Sequence, residues 1–309
     1  MTRLAFNRLL HADWSRSSGK RWAAEARRDD KHWRVSAPRR VGDIDAWLST
    51  LLEENAGTTL VGFDFPIGVP ASWAWQAGIG DFSDLLSQLA DHQWPDFFTV
   101  AEYPDEIALG RPFYPRRSRR GVRQAELIQA LGAVDFDDLR RECERRTPGR
   151  RPCPLFWTLG ANQVGKAAIA GWREVLMPAR ARGAALWPFD DDLETLAVCS
   201  HSVLCETWPT LVAHLLGVGM EAGQSKRRQR DRAIQGQQLL ECNRSCVLDS
   251  DAGERLADGF GPGAGGEDPY DAMLGLLMMV EVAEGRLASA FRLTPWQRNL
   301  EGWILGLSQ

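Results

Sequence analysis

Thr59-Leu60-Val61-Gly62-Phe63 is an unbroken apolar run, closed by Asp64-Phe65-Pro66. A strand apolar on both faces has to be covered on both faces, which is the condition of an inner strand in a parallel sheet flanked by helices. The run therefore directs the chain toward an α/β fold. Three segments precede it: Leu4 to Trp14, Arg21 to Arg27 and His32 to Ala37, parted by polar turns such as Ser17-Ser18-Gly19-Lys20. Their spacing predicts a three-stranded antiparallel meander. Between meander and apolar run, Ile44, Trp47, Leu48, Leu51 and Leu52 recur at helical spacing behind Asp43, a residue suited to an N-cap. Ser202 to Glu206, closed by Trp208-Pro209, predicts a further strand.

Helical patterns cover Asp81 to His92, Asp135 to Arg146, Ala161 to Pro178, Thr210 to Leu216, Ser225 to Leu240 and Asp268 to Glu284, the last preceded by a Gly-rich loop at 259–266. No internal repeat and no low-complexity linker interrupts this order. The expectation is one elaborated domain over 1–309. It has a mixed sheet, three antiparallel strands and then parallel strands, flanked by helices. Residues 72–160 read as a helical and loop insertion.

Several classes are excluded. With 44% hydrophobic and 25% charged residues among 309, the chain has an ordinary globular composition and enough apolar side chains for a full core. No stretch of about 18 uncharged apolar residues suggests a membrane span. Met1 to Leu10 has no long apolar region, so a signal peptide is not expected and a cytoplasmic location is. Cys143, Cys153, Cys199, Cys205, Cys242 and Cys246 form no C-x-x-C pair and are expected to be free thiols, a zinc site at Cys242 and Cys246 being the minor alternative. His11, His32, His92, His201 and His214 show no H-E-x-x-H spacing, which removes support for a zinc hydrolase.

The net charge is −4, so this is no globally basic nucleic-acid binder, but its basic residues are clustered. Six arginines fall in 111–123, six in 139–151, and five Lys or Arg in 226–232. Such patches suit a phosphate-bearing substrate and equally suit a solvated arginine-rich surface. On the first reading Arg116, Arg117, Arg119, Arg120, Arg230 and Arg232 are the candidate contacts to RNA or DNA. The tryptophans, Trp73, Trp75 and Trp94 among them, suit core packing better than base stacking.

Five acids coincide with the ends of these elements. Asp13 ends the first strand, Asp64 the fourth and Glu206 the fifth, while Asp268 and Asp271 begin the last helix. In open α/β sheets ligands bind at the carboxyl ends of strands. Carboxylates gathered there repel one another, and hard divalent cations such as Mg²⁺ or Mn²⁺ relieve that repulsion. Each acid also has a purely structural reading. Asp64 suits a chain reversal before Pro66, and Asp268 suits an N-cap with Pro269 behind it. The coincidence of all five is more specific than any one. Lys226, in Ser225 to Arg232, is the candidate cation beside them.

The strand Gly62-Phe63-Asp64-Phe65-Pro66, the Glu206 to Pro209 segment, the Ser225-Lys226 to Arg232 helix and the D-x-x-D-A of Asp268 to Ala272, taken in order, resemble a large uncharacterised family of predicted ribonuclease-H-like nucleases, domain of unknown function 429. Glu301-Gly302-Trp303-Ile304 also looks like that family's ending. The D-x-x-D-A motif is more distantly similar to the closing helix of RuvC-type Holliday-junction resolvases. The resemblance covers most of the chain apart from the insertion and implies a ribonuclease-H-like core. It also implies a metal-dependent nuclease in which Asp13 bridges two Mg²⁺ or Mn²⁺ ions, Asp64 and Asp271 complete the coordination, Glu206 or Asp268 assists, and Lys226 neutralises charge. Asp64 stands where RuvC-type enzymes carry Glu, a shorter arm that puts the metal geometry in doubt. Two other readings stay open: a phosphotransferase of the related actin-like fold, for which no P-loop or paired Gly-rich phosphate loops are evident, and a non-catalytic nucleic-acid-binding or interaction module.

Overall fold

The structure, a computed structural model, describes residues 2–29, 32–52, 57–116, 123–149, 151–159, 163–242, 245–288 and 292–308. The chain divides into two compact units. Met1–Asp64, Ala179–Phe291 and Ile304–Ser308 form the first; Phe65–Pro178 and Arg292–Trp303 belong to the second. The segment expected as an insertion, 72–160, lies inside the second unit, which is longer at both ends and takes in a return of the chain near its terminus.

The strands are β1 (Arg8–Asp13), β2 (Trp22–Arg28), β3 (Trp33–Arg40), β4 (Thr59–Phe63), β5 (Ala185–Leu186), β6 (Ser202–Glu206) and β7 (Cys246–Leu248). The helices are α1 (Ile44–Leu51), α2 (Ala71–Gln76), α3 (Phe82–Ala90), α4 (Gln124–Ala130), α5 (Glu142–Arg146), α6 (Val164–Gly171), α7 (Met177–Ala181), α8 (Leu193–Cys199), α9 (Pro209–Leu215), α10 (Gln229–Cys242), α11 (Ser250–Asp258) and α12 (Glu267–Ala283). Among the described residues no helix is long and apolar enough to cross a membrane. Cys199, Cys205 and Cys242 are free thiols.

All seven strands belong to the first unit and form one mixed sheet in the order β5-β6-β4-β1-β2-β3-β7. β1, β2 and β3 pair antiparallel, as the meander predicts. β4 then returns parallel to β1, β6 runs parallel to β4, and β7 adds to the far edge parallel to β3. The apolar run Thr59–Phe63 is β4, an inner strand buried at every position. One face carries α1, where Trp47 meets Trp14 and Phe63 with ring centroids 5.9 and 6.1 Å apart. The other face carries α12, which packs on β1, β2 and β3. Residues of α12 are buried almost throughout, which accounts for its apolar sequence on all sides.

α12 approaches the sheet closely because two glycines make room. A Cβ on Gly275 would lie 2.3 Å from the His11 ring, and one on Gly62 2.7 Å from the Met279 sulfur. His11, wholly buried, fills the space between them.

The second unit has its own aromatic core. Trp73, Phe97, Phe113, Phe156 and Trp172 are fully buried and in ring contact, with Trp73 and Phe156 centroids 5.3 Å apart. Trp73 thus serves packing, as expected, whereas Trp75 is exposed. Arg141, also fully buried, pairs with Glu144 and donates to the carbonyls of Ile67 and Glu301. Glu301 accepts from the first N–H groups of α2 and α5, at Ala71 and Glu142. The helix expected over Asp135 to Arg146 forms only at Glu142–Arg146. Asp135 and Asp138 turn their side chains onto the N–H groups of Asp138 and Val134, a local bonding that competes with the helix.

Candidate metal centre

Strand register decides which acids meet. His11 pairs with Gly62 and Ala12 with Phe63. Asp13 and Asp64, the next pair along, therefore leave two adjacent parallel strands on one face, the α12 face. Asp64 Oδ1 accepts a 2.6 Å hydrogen bond from the Trp14 N–H, which fixes its carboxylate beside the end of β1. The first turns of α12 bring Glu267, Asp268 and Asp271 to the same end. The helix begins at Glu267 rather than at an Asp268 cap, because Gly266 runs straight into it from the turn at Gly263–Gly266.

Glu206 is not brought to this face. It pairs with Phe63, one residue short of Asp64, so the two-residue alternation of the strand sends it to the α1 side. Thr207 takes the place beside Asp64 instead, and its hydroxyl meets His11 Nε2 at 2.7 Å. Burial lowers the His11 pKa to about 4, so this imidazole is neutral near pH 7. His11 is two residues before Asp13, and that spacing alone would have placed it on the same face.

The acids are electrostatically one cluster. Burial raises the Asp13 pKa well above the ordinary carboxylate range, and the charges of Asp64, Asp271 and Asp268 add to it. Burial likewise pushes Asp64 up to about 7, helped by Asp271, against the opposing Trp14 N–H and Lys226. The neighbouring Asp13 side chain acts in the opposite sense on Asp64, as a hydrogen-bonding partner that favours its charged form. Asp271 and Asp268 are raised by burial too. For Asp268, Lys20 and Arg40 pull in the opposite sense.

A lysine sits within the cluster. Lys226 Nζ bonds Asp271 Oδ2 and lies 3.4 Å from Glu267 Oε1. Burial alone would pull this ammonium down, but Asp271, Glu267 and Asp13 hold it above its ordinary value. Its backbone is clamped from α10. Asp231, buried, accepts from the Ser225 N–H at 2.9 Å and from Arg228 Nε at 2.7 Å. Arg232, also buried, donates to the Lys226 carbonyl and, at 2.7–3.0 Å, to the carbonyls of Gly259, Gly261 and Gly263. One guanidinium thus ties the Lys226 turn to the Gly-rich loop that leads into α12.

That bonding removes Arg232 from the candidate nucleic-acid contacts, because its donors are spent on main-chain carbonyls inside the protein. Arg230 is exposed and rests on Asp231 at 3.3 Å. Arg116, in the second unit, is exposed and lies 3.7 Å from Glu102. Arg117, Arg119 and Arg120 lie outside the described residues.

The donor chemistry of Asp13, Asp64, Asp268 and Asp271 fits a hard divalent cation: oxygen ligands only, with more buried negative charge than Lys226 neutralises. Their arrangement is looser. Among the described residues no group of three or more His, Cys, Asp or Glu side chains is positioned to hold a metal ion as it stands. Lys226, paired with Asp271 and Glu267, offsets part of that charge. Comparison with protein-family models, curated proteins and solved structures finds no match to this chain.

Proposed function

We propose that this chain is a divalent-metal-dependent nuclease with a ribonuclease-H-like core, hydrolysing phosphodiester bonds of RNA or DNA. The observation that carries the reading is the Asp13–Asp64–Asp268–Asp271 cluster at the ends of β1 and β4 and the start of α12. Burying several carboxylates together is costly, and acids held this far from their ordinary pKa cluster at functional sites. A scaffold without chemistry has no use for them, which favours an enzyme over an interaction module. The sheet, an antiparallel meander continued by parallel strands on the β1 side, supports the ribonuclease-H-like assignment.

In this reading Asp13, Asp64 and Asp271 would hold Mg²⁺ or Mn²⁺, with Asp268 beside them. The ions would supply an activated water and stabilise the leaving oxygen in an in-line displacement. The chain's own residues do the rest. The Trp14 N–H orients Asp64, neutral His11 and Thr207 pack beneath the acids without adding charge, and Lys226 offers a fixed positive charge to the anionic substrate. Asp231 and Arg232 hold the turn that presents Lys226.

The test is cleavage of end-labelled RNA and DNA, single-stranded and duplex, by the full chain with Mg²⁺ or Mn²⁺. Products should form only with metal, stop with EDTA and disappear in Asp13→Asn. Absence of products on every substrate, or products that persist in EDTA, overturns the reading.

A further inference from the structure

Arg40, at the end of β3, is a further cation on the side of the sheet that carries the acids. The register runs across three strands: Asp13 pairs with Trp22, and Trp22 pairs with Arg40. Directly paired residues project from the same face, so Asp13, Trp22 and Arg40 form one row on the α12 side, continuing Asp64. The Arg40 guanidinium lies over the Trp22 indole, 4.5 Å from the ring centroid, while Arg40 itself stays exposed. Trp22 is half-buried, and its Nε1–H, buried, has no acceptor among the described residues.

Lys20 reaches the same place from the β1–β2 turn. Its side chain is exposed, and the turn that carries it links Asp13, at the end of β1, to Trp22, at the start of β2. The turn is built rather than loose. Arg21, buried, stacks over Trp14 at 4.3 Å and donates from Nε to the Ser15 carbonyl at 2.6 Å, and the Lys20 N–H closes onto the Ser17 carbonyl at 2.9 Å. No ion pair is formed by Lys20 or Arg40 among the described residues, whereas Arg8 on β1 and Arg27 and Arg28 on β2 all pair with glutamates. Two exposed, unpaired cations thus flank a buried acidic cluster on one side.

We infer that Lys20 and Arg40 form a phosphate-binding shelf for the nucleic-acid strand that enters the carboxylate site, with Trp22 as the positioning residue that holds Arg40 flat. This rests on the nuclease reading and names which residues of that site take the substrate backbone. A strand with one phosphate near the acids has its next phosphates within a few ångströms, where the carboxylates would repel them. Fixed cations at the rim convert that repulsion into attraction. The stack on Trp22 leaves the edges of the guanidinium free to donate while limiting its motion.

The experiment measures binding of a fluorescent oligonucleotide across a range of salt, with Ca²⁺ in place of Mg²⁺ to suppress cleavage, beside a Mg²⁺ cleavage assay of the same proteins. Lys20→Gln and Arg40→Gln should each weaken binding several-fold and each reduce the slope of log K against log salt by about 0.7–0.9. Arg40→Lys should keep the slope, Trp22→Leu should weaken binding with the charge still present, and Arg27→Gln, at the opposite end of β2, should match the wild type. Wild-type binding whose salt slope is the same in Lys20→Gln and Arg40→Gln overturns the shelf and leaves the nuclease reading intact. A wild type that neither binds nor cleaves overturns both.

Discussion

The Trp14 N–H and the Asp64 carboxylate, 2.6 Å apart, lock the end of β4 to the end of β1. Asp13 and Asp64 are therefore neighbours by main-chain geometry, not by side-chain choice, and the burial and mutual repulsion that raise their pKa values are built into the fold. Asp13→Asn keeps the shape and removes a charge. It should unfold at the same or a higher temperature than wild type in EDTA while losing metal-dependent cleavage by more than about a hundredfold. A loss of activity accompanied by a collapse in thermal stability would show a structural role instead.

Raised carboxylate pKa values fix the sign of the pH dependence. Asp64 moves from 3.8 when exposed to about 7 in the fold, so the folded state binds protons more tightly than the unfolded state. Its contribution to stability is present below pH 4 and is lost as pH rises through 7. In EDTA, the melting temperature of wild type relative to Asp64→Asn should fall between pH 5 and pH 8, on the order of 5 °C. Mg²⁺ or Mn²⁺ at pH 8 should restore it. A relative melting temperature that rises over this range contradicts the assignment.

Arg232 and Arg230 are two residues apart in sequence and opposite in role. Arg232→Met leaves the carbonyls of Lys226, Gly259, Gly261 and Gly263 without a buried donor. It should cost more than about 3 kcal/mol in urea denaturation. Exposed Arg230→Gln should fall within about 0.5 kcal/mol of wild type. Equal effects from the two variants would refute the clamp.

The Gly275 and His11 pair gives a packing test. A methyl group at position 275 would stand 2.3 Å from the imidazole, so Gly275→Ala must displace α12 or His11. The expected cost is about 1–3 kcal/mol in the same denaturation assay. His11→Ala in the Gly275→Ala background should recover part of it, whereas strictly additive losses would show that the two residues do not touch.

Much of the first unit is legible in the sequence because it depends on local pattern. Thr59–Phe63 and Ser202–Glu206 are strands at the bounds their apolar runs suggest, and Asp43 does cap α1, accepting from the Ala46 N–H. β5 and β7 are not legible, because two or three residues carry no usable period. The helix expected from Ser225 starts only at Gln229, since Asp231 folds back to hold Ser225 in a turn. For the site, element ends point to Asp13, Asp64, Asp268 and Asp271. Ends alone cannot tell the two faces of a sheet apart, and a register offset of one residue removes Glu206. Arg40 depends on a row across three strands and Lys20 on the fold of the β1–β2 turn, which no linear spacing reveals.

Binding of divalent metal by the carboxylates is measured most directly by Mn²⁺ titration of the full chain at pH 8, followed by electron paramagnetic resonance. The account predicts saturable loss of the free Mn²⁺ signal in wild type, with affinity at least about tenfold weaker in Asp13→Asn and in Asp271→Asn and unchanged in Glu206→Gln. Wild-type protein that leaves the free Mn²⁺ signal untouched, or aspartate variants that bind as tightly as wild type, would contradict it.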